Sequence, residues 1–401
     1  MHLLQRRRRC CGRRGLPGDS ASVRQNLLSL QSTADLLATT QNRLATGNKV
    51  NSALDNPTNF FTAQGLNNRA SDISNLLDSI GNGVQVLQAA NTGITSLQKL
   101  VDTAKSLANQ VLKAPAGYSA KSTVTSAAAL GGTAANLVDG TTIKAGDVLA
   151  IAATGGGTAT NITFGASESL DQLNVALAAN NLSASLDSAN KLVITTVNDA
   201  ASSTIGVVTY TNTGGGTVTF GAVAAPVADA ASQTIRANLV AQYNNVITQI
   251  TTTSQDSSFN GINLLNGDDL KLTFNETGKS TLTIKGVTFN AAGLGLAPLV
   301  AGTDFVDNAS AKATLAKVSS ASDALRTQAS TLGSNLSIVQ IRQDFSKNLI
   351  NVLQTGSANL TLADTNEKAA NSQALATRQS IAVSALALAN QAQASVLQLL
   401  R

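Results

Sequence analysis

Residues Gln379 to Leu400 read QSIAVSALALANQAQASVLQLL, with no charged side chain between Arg378 and Arg401. Leu375, Ala382, Leu386, Ala389, Val396 and Leu400 fall on one stripe at helical steps, and Ile381, Ala385, Leu388, Ala392 and Leu399 form a second stripe beside it. A helix with two apolar stripes needs neighbours on two sides. Gln379, Ser380, Ser384, Asn390, Gln391, Gln393, Ser395 and Gln398 are spread through the segment, whereas a membrane span needs about 20 predominantly apolar residues. The expectation is no membrane insertion, and a helix buried among protein neighbours with amides that hydrogen-bond sideways.

The other end of the chain offers a matching seam. Val23, Leu27, Leu30, Ala34, Leu37, Gln41 and Leu44 alternate steps of four and three, a heptad seam that ends at Gly47. Asn48 to Pro57 reads as a loop, with Asn56 as N-cap and Pro57 as the first helical position. A second seam keeps the same alternation from Ile73 to Val111, which predicts a helix from Thr58 of about 75 Å at 1.5 Å per residue. Gly81, Gly83 and Gly93 each cost about 1 kcal/mol against Ala inside it, and so mark close approach or local weakness. A third seam, Leu315 to Leu353, mirrors the second.

Between these seams the composition changes. Ser122 to Ser232 is rich in Thr, Ala, Gly and Val, with strand-like runs at Val148–Ala152, Asn161–Phe164, Leu192–Val197, Ile205–Tyr210 and Val218–Phe220 and one short helix at Ser169–Asn180. Helical spacing returns at Gln233–Thr252, with Ile235, Leu239, Tyr243, Val246 and Ile250 on one face. A turn-rich stretch, Phe259 to Gly267, then precedes a hairpin of Leu270–Phe274 with Thr281–Phe289 around Gly278. The fold class expected is mainly α with a β-rich insert: a long antiparallel coiled-coil helical rod of paired N- and C-terminal segments plus a small hairpin, and an inserted outer domain. The boundaries expected are 1–20 for a basic tail, 21–57 for an N-terminal helix and loop, 58–121 for the first part of the rod, 122–232 for the insert, 233–360 for the rest of the rod with its hairpin, and 361–401 for the terminal helix.

Composition narrows the function. The 401 residues are 43% hydrophobic but 3% aromatic, so the cores must be built from Leu, Val, Ile and Ala. The net charge of +5 is misleading, because Arg6, Arg7, Arg8, Arg9, Arg13 and Arg14 crowd the start and the chain beyond Ser20 carries equal numbers of basic and acidic residues. Without a basic patch on a folded domain, no nucleic-acid partner is expected. All the histidine and cysteine, His2, Cys10 and Cys11, lies in the same tail. From Gly12 onward that excludes Cys or His nucleophiles, thiolate or imidazole zinc sites and a disulfide framework. Asp268 and Asp269 beside Gly267 read as turn capping. No catalytic residue, cofactor or metal is expected. The tail also lacks the apolar region of a cleavable secretory signal.

Four motifs carry a family resemblance. Arg43-Leu-Ala-Thr-Gly47 followed by Val50-Asn-Ser-Ala-Leu-Asp55 resembles the N-terminal pattern of bacterial flagellins, on which Arg43, Gly47, Asn51 and Asp55 fall. Leu386-Ala-Leu-Ala-Asn-Gln391, with Asn390 and Gln391, running into Ser395-Val-Leu-Gln-Leu-Leu-Arg401, is similar to the C-terminal signature. Phe259, Asn260 and Gly261 open a stretch similar to the family's turn before its small hairpin, and Leu173 to Thr196 resembles a β-rich insertion motif found in many flagellins.

The resemblance implies a filament subunit that polymerises with copies of itself. Its assembly interface would include Val23, Leu27, Leu30, Leu37 and Leu44 on the first helix, and Leu375, Ala382, Leu386, Ala389, Val396 and Leu400 on the last. It further implies export through the flagellar export apparatus, filament cap and hook-junction proteins as partners, and an extracellular place in the flagellar filament. A hook-filament junction protein, or a surface adhesin on the same scaffold, are the competing readings; three aromatics in the insert, Phe164, Tyr210 and Phe220, give little for sugar stacking. Two departures stand out. Met1 to Ser20 precedes the point where the family pattern starts, Ala21-Ser-Val-Arg-Gln-Asn26, so the tail is expected to be disordered or a mis-assigned start. Leu97 to Ala104 resembles a segment read by an innate immune receptor in some flagellins, but has Lys99 and Val101 where those carry arginines.

The terminal helices are expected to order only on assembly. Fixing Val23 to Leu44 costs on the order of 20 to 40 kcal/mol of backbone entropy, and burying six seam residues returns roughly 10 kcal/mol only where a partner covers them.

Overall fold

The computed structural model describes residues 21–399. The basic tail and Leu400 lie outside the described residues, and the burial of Val396 is not described either. Among the described residues the α-helices are α1 (Ala21–Thr46), α2 (Pro57–Lys113), α3 (Leu170–Ala178), α4 (Ala230–Asp256), α5 (Asn308–Thr361) and α6 (Thr365–Leu399). The strands are β1 (Tyr118–Ala120), β2 (Thr123–Thr125), β3 (Val148–Ile151), β4 (Thr160–Thr163), β5 (Leu182–Leu186), β6 (Leu192–Thr196), β7 (Val208–Thr211), β8 (Val227–Ala228), β9 (Leu270–Thr273) and β10 (Thr281–Ile284). The described residues divide into two compact units: 21–78 with Phe274–Gly278 and 343–399, and Ser79–Thr273 with Lys279–Arg342.

In the first unit α1 and α6 lie along one another. Gly47, at φ +70°, closes α1 in the left-handed conformation that a helix C-terminus favours. Asn56 accepts from the Asn59 amide at 3.0 Å and Pro57 opens α2, as the sequence led us to expect. Ala70 and Ile73 of α2 form a small core with Ile350 and Leu353 of α5, and the Ser357 hydroxyl donates to the Ala63 carbonyl. The terminal helices are formed and paired here, although the entropy argument led us to expect them to order only on assembly. One stripe of each covers the other, which supplies part of the burial that argument required. The last helix starts at Thr365, where the Asp364 carboxylate accepts from the Asn366 and Glu367 amides.

The second unit buries three seams. On α2 these are Ile80, Leu87, Ile94, Leu97, Val101, Ala104, Ala108 and Val111; on α5 they are Val318, Leu325, Leu332 and Val339; and on α4 they are Leu239, Tyr243, Ile247 and Ile250. The α4 face differs from the expected one: Ile235 is exposed and Arg236 is buried. The Arg236 guanidinium donates to the carbonyls of Pro115 and Phe305, so the burial of a charge is offset by charge-assisted hydrogen bonds that a periodicity argument does not register. The glycines in α2 divide. A Cβ on Gly83 would meet Leu272 Cδ2 at 2.4 Å and one on Gly93 would meet Ser257 Oγ at 2.2 Å, whereas one on Gly81 meets nothing within 4 Å.

The insert carries two three-stranded antiparallel sheets, ordered β2-β6-β5 and β4-β3-β7, with α3 against β5 and β4. Its core includes Leu149, Ile151, Phe164, Leu173, Leu177, Leu192 and Ile194, and β1 pairs with β8 where the chain enters and leaves. The α3 N-terminus is a capping box, Ser169 and Gln172 satisfying each other's amides. No strand forms at Val218–Phe220. Ser126 bridges Phe220 and Thr123 bridges Ala224, so the stretch Phe220 to Ala224 has one residue more than Thr123 to Ser126 and the ladder breaks as at a bulge. The hairpin β9–β10 is in the expected place, with Thr281 opposite Thr273 and Ile284 opposite Leu270, but ends well before Phe289.

Candidate assembly surface

The root of the terminal helices is a junction of two loops. After Gly47 the chain runs antiparallel to the α5–α6 linker: Asn48 bridges Leu362, the Lys49 amide donates to the Thr361 carbonyl at 2.7 Å, and the Ala363 amide donates to the Gly47 carbonyl at 2.9 Å. Lys49 Nζ adds a bond to the Asn359 carbonyl at 3.0 Å. These contacts set where α1 ends relative to where α6 begins. No local pattern in either loop signals the pairing, because the partners are more than 300 residues apart in sequence.

The motif residues meet beside that junction. Asp55 turns its carboxylate back on the loop and accepts from the Asn51 amide at 2.9 Å and the Ser52 amide at 3.0 Å. Those two amides, then the Ser52 hydroxyl and the charge of Arg43, hold the Asp55 carboxyl below its ordinary range. Arg43 is half-buried, and its Nε has no hydrogen-bond partner among the described residues. Gly47 thus supplies a left-handed backbone, Asn51 a backbone amide, and Asp55 the carboxylate that the loop turns around, with the charge of Arg43 nearby.

Phe259, Asn260 and Gly261 form a separate turn in the second unit. Asn260 at φ +50° and Gly261 at φ +80° are the two left-handed positions of a type I′ turn, closed by reciprocal bonds between Phe259 and Ile262. Asn263, two residues on, donates to the Ser254 and Gln255 carbonyls at 2.8 Å and so ties the turn to the end of α4. The side chains of Asp268 and Asp269 accept from the Asn263 amide and from Lys285 with the Gly286 amide, in keeping with turn capping.

Along α1 and α6 the stripes are unequal. On α6 the expected first stripe, Leu375, Ala382, Leu386 and Ala389, is half-buried, while Ile381, Ala385, Leu388 and Ala392 of the second are exposed, Ile381 by 62% and Leu388 by 70%. On α1 Val23 is buried and Leu30, Ala34 and Leu37 are half-buried, while Leu27 and Leu44 are exposed. Leu28 and Leu36, outside the heptad seam, are also bare. Asn390 and Gln391 are exposed. Among the described residues no cluster of three His, Cys, Asp or Glu side chains is placed to hold a metal, and no helix is long and apolar enough to cross a membrane.

Comparison with known proteins places both ends of the chain. Residues 20–129 match the bacterial flagellin N-terminal helical region, and residues 315–400 match the bacterial flagellin C-terminal helical region. By these two regions the chain belongs to the bacterial flagellin family. It is similar to Flagellin FljM of Caulobacter vibrioides, 31% identical over 165 residues that make up 41% of this chain and 59% of that protein. Flagellin FljK of the same organism is 30% identical over the same shares, and Flagellin C of Rhizobium meliloti is 34% identical over 26% of this chain and 34% of its own length. The matched stretch thus spans about three fifths of the Caulobacter relatives. Residues 130–314, with most of the insert, lie outside both family matches.

Proposed function

We propose that this chain is the structural, non-catalytic subunit of a bacterial flagellar filament, and that it polymerises with copies of itself through α1 and α6. One observation carries the reading. The two helices cover each other along one stripe and leave the second apolar stripe of α6, centred on Ile381 and Leu388, without a neighbour among the described residues. Burying an exposed Leu or Ile contributes about 1.5 to 3 kcal/mol, so each added copy that covers this stripe stabilises the assembly. In this reading Val23, Leu27, Leu30, Leu37, Leu44, Leu375, Ala382, Leu386, Ala389, Val396 and Leu400 belong to the assembly interface. The helical seams form the shaft, and residues 122–232 form an outward module. The flagellar export apparatus, filament cap and hook-junction proteins are the partners, and the extracellular filament is the location.

Truncation tests it. A chain ending at Arg378 should remain a soluble monomer with the α2, α4 and α5 helices intact and should fail to extend seeded filaments. Growth of filaments from the truncated chain would overturn the reading.

A further inference from the structure

We propose that the outward face of α1 receives the bare stripe of α6 from a second copy of the chain, antiparallel, with Asp35 of one copy paired to Arg378 of the other. This rests on the filament-subunit reading above. Leu28, Gln31, Ser32, Asp35, Leu36 and Thr39 share one open face of α1, on the side away from its half-buried residues. Its leucines are bare, Leu28 by 66% and Leu36 by 55%. On α6, Arg378 continues the exposed stripe Ile381, Ala385, Leu388 and Ala392 at steps of three and four. Asp35 and Arg378 are both exposed, and neither takes part in an ion pair among the described residues. Each surface therefore offers two large apolar groups and one unpaired charge, of opposite sign.

Spacing and charge select the direction. Leu28 and Leu36 are about 12 Å apart along α1, and Ile381 and Leu388 about 10.5 Å apart along α6, at 1.5 Å per residue, so the two pairs meet in either direction. With Leu36 opposite Ile381 and Leu28 opposite Leu388, the helices are antiparallel and Arg378 lies about 6 Å along the axis from Asp35, within reach of its long side chain. In the parallel alternative Arg378 falls within about 2 Å of the level of Arg24 and about 15 Å from Asp35, which juxtaposes like charges. Across the face of a protein interface, such juxtaposition is what suppresses a wrong register. The antiparallel sense also repeats the one α1 and α6 adopt within a chain, so one geometry serves both contacts.

Charge reversal in the full-length chain is the test, read as the rate at which seeded filaments elongate. Asp35→Arg alone and Arg378→Asp alone should each slow elongation by at least about tenfold, and the double swap should recover most of the rate. Elongation by either single variant at the unmodified rate, or a double variant no faster than the singles, overturns the pairing. Circular dichroism of each monomer guards against misfolding; if a reversal loses helicity, Asp35→Asn and Arg378→Gln take its place under the same criteria, with a smaller slowing expected. An unmodified chain that fails to elongate seeds refutes the filament-subunit reading, and this pairing with it.

Discussion

Asp147 is the residue on which the loops of the insert converge. It is fully buried and accepts from the Lys144 amide at 2.9 Å, the Gly214 amide at 2.8 Å and the Tyr210 hydroxyl at 3.0 Å. Burial pushes its carboxyl up, but these bonds together outweigh it and hold the group below its ordinary range. Asp139 is held down in the same way, by the Thr142 hydroxyl and the amides of Thr141 and Thr142 against burial. Because both folded values are depressed, their contribution to stability is present above the unfolded carboxyl value of about 3.9 and is lost as pH falls through the folded values. Near-ultraviolet circular dichroism should therefore show the Tyr210 environment melting below about pH 4. Asp147→Ala, which strands several donors, should lower the urea stability of the insert by about 3 kcal/mol; no change would mean that the loops are held by something else. The tyrosines bear on the alkaline side. Burial, then Asp147, pushes Tyr210 up; burial, then Asp304, pushes Tyr243 up to about 12; and burial, then Asp307, raises Tyr118. Raised phenol values stabilise the fold fully below the unfolded value of about 10 and less as pH rises beyond it. At pH 10 the native chain should show less phenolate absorption than the unfolded chain, and equal ionisation of the two there would contradict this packing.

At the scale of elements, the α2 glycines make a paired prediction. Gly81→Ala should stabilise the chain by about 1 kcal/mol, because the helix gains propensity and the new methyl meets open space. Gly93→Ala should destabilise it by about 1 to 3 kcal/mol, since Ser257 and Leu265 must shift to admit the methyl. Thermal unfolding of both variants decides the matter, and equal effects would mean that close approach is not why Gly93 is there. The same helix shows what the sequence made legible. The seams of α2 and α5 repeat many times, so an error at one position is outvoted, and the buried residues fall where the heptads put them. Short elements lack that redundancy. Val218–Phe220 alternates like a strand, but the stretch from Phe220 to Ala224 carries one residue too many for Thr123 to Ser126, and β5, Leu182–Leu186, is a serine-diluted run inside a larger motif. Arg236 shows a different limit: a charge is read as solvated unless its acceptors are known, and here they come from 69 and 121 residues away. For the assembly surface, two stripes on the last helix were legible; which of them the chain itself covers was not, because that depends on the junction at Gly47 and Thr361.

The whole molecule separates folding from assembly. The core of the insert is made of its own side chains, and β1 paired with β8 closes its base. Deleting residues 121–226 and joining Ala120 to Val227 by a short glycine linker should still give filaments. The join must spare Asp229, whose side chain caps α4 by accepting from the Ser232 amide at 2.9 Å. Normal export of this variant without filaments would place the insert in the assembly core. The central claim concerns the other end of the chain: the second stripe of α6 is bare in one copy and covered by another. Electron cryo-microscopy of filaments grown from the full-length chain tests it most directly. The account predicts Ile381 and Leu388 in contact with α1 of a neighbouring copy, running antiparallel. Filaments in which both side chains face solvent would contradict it.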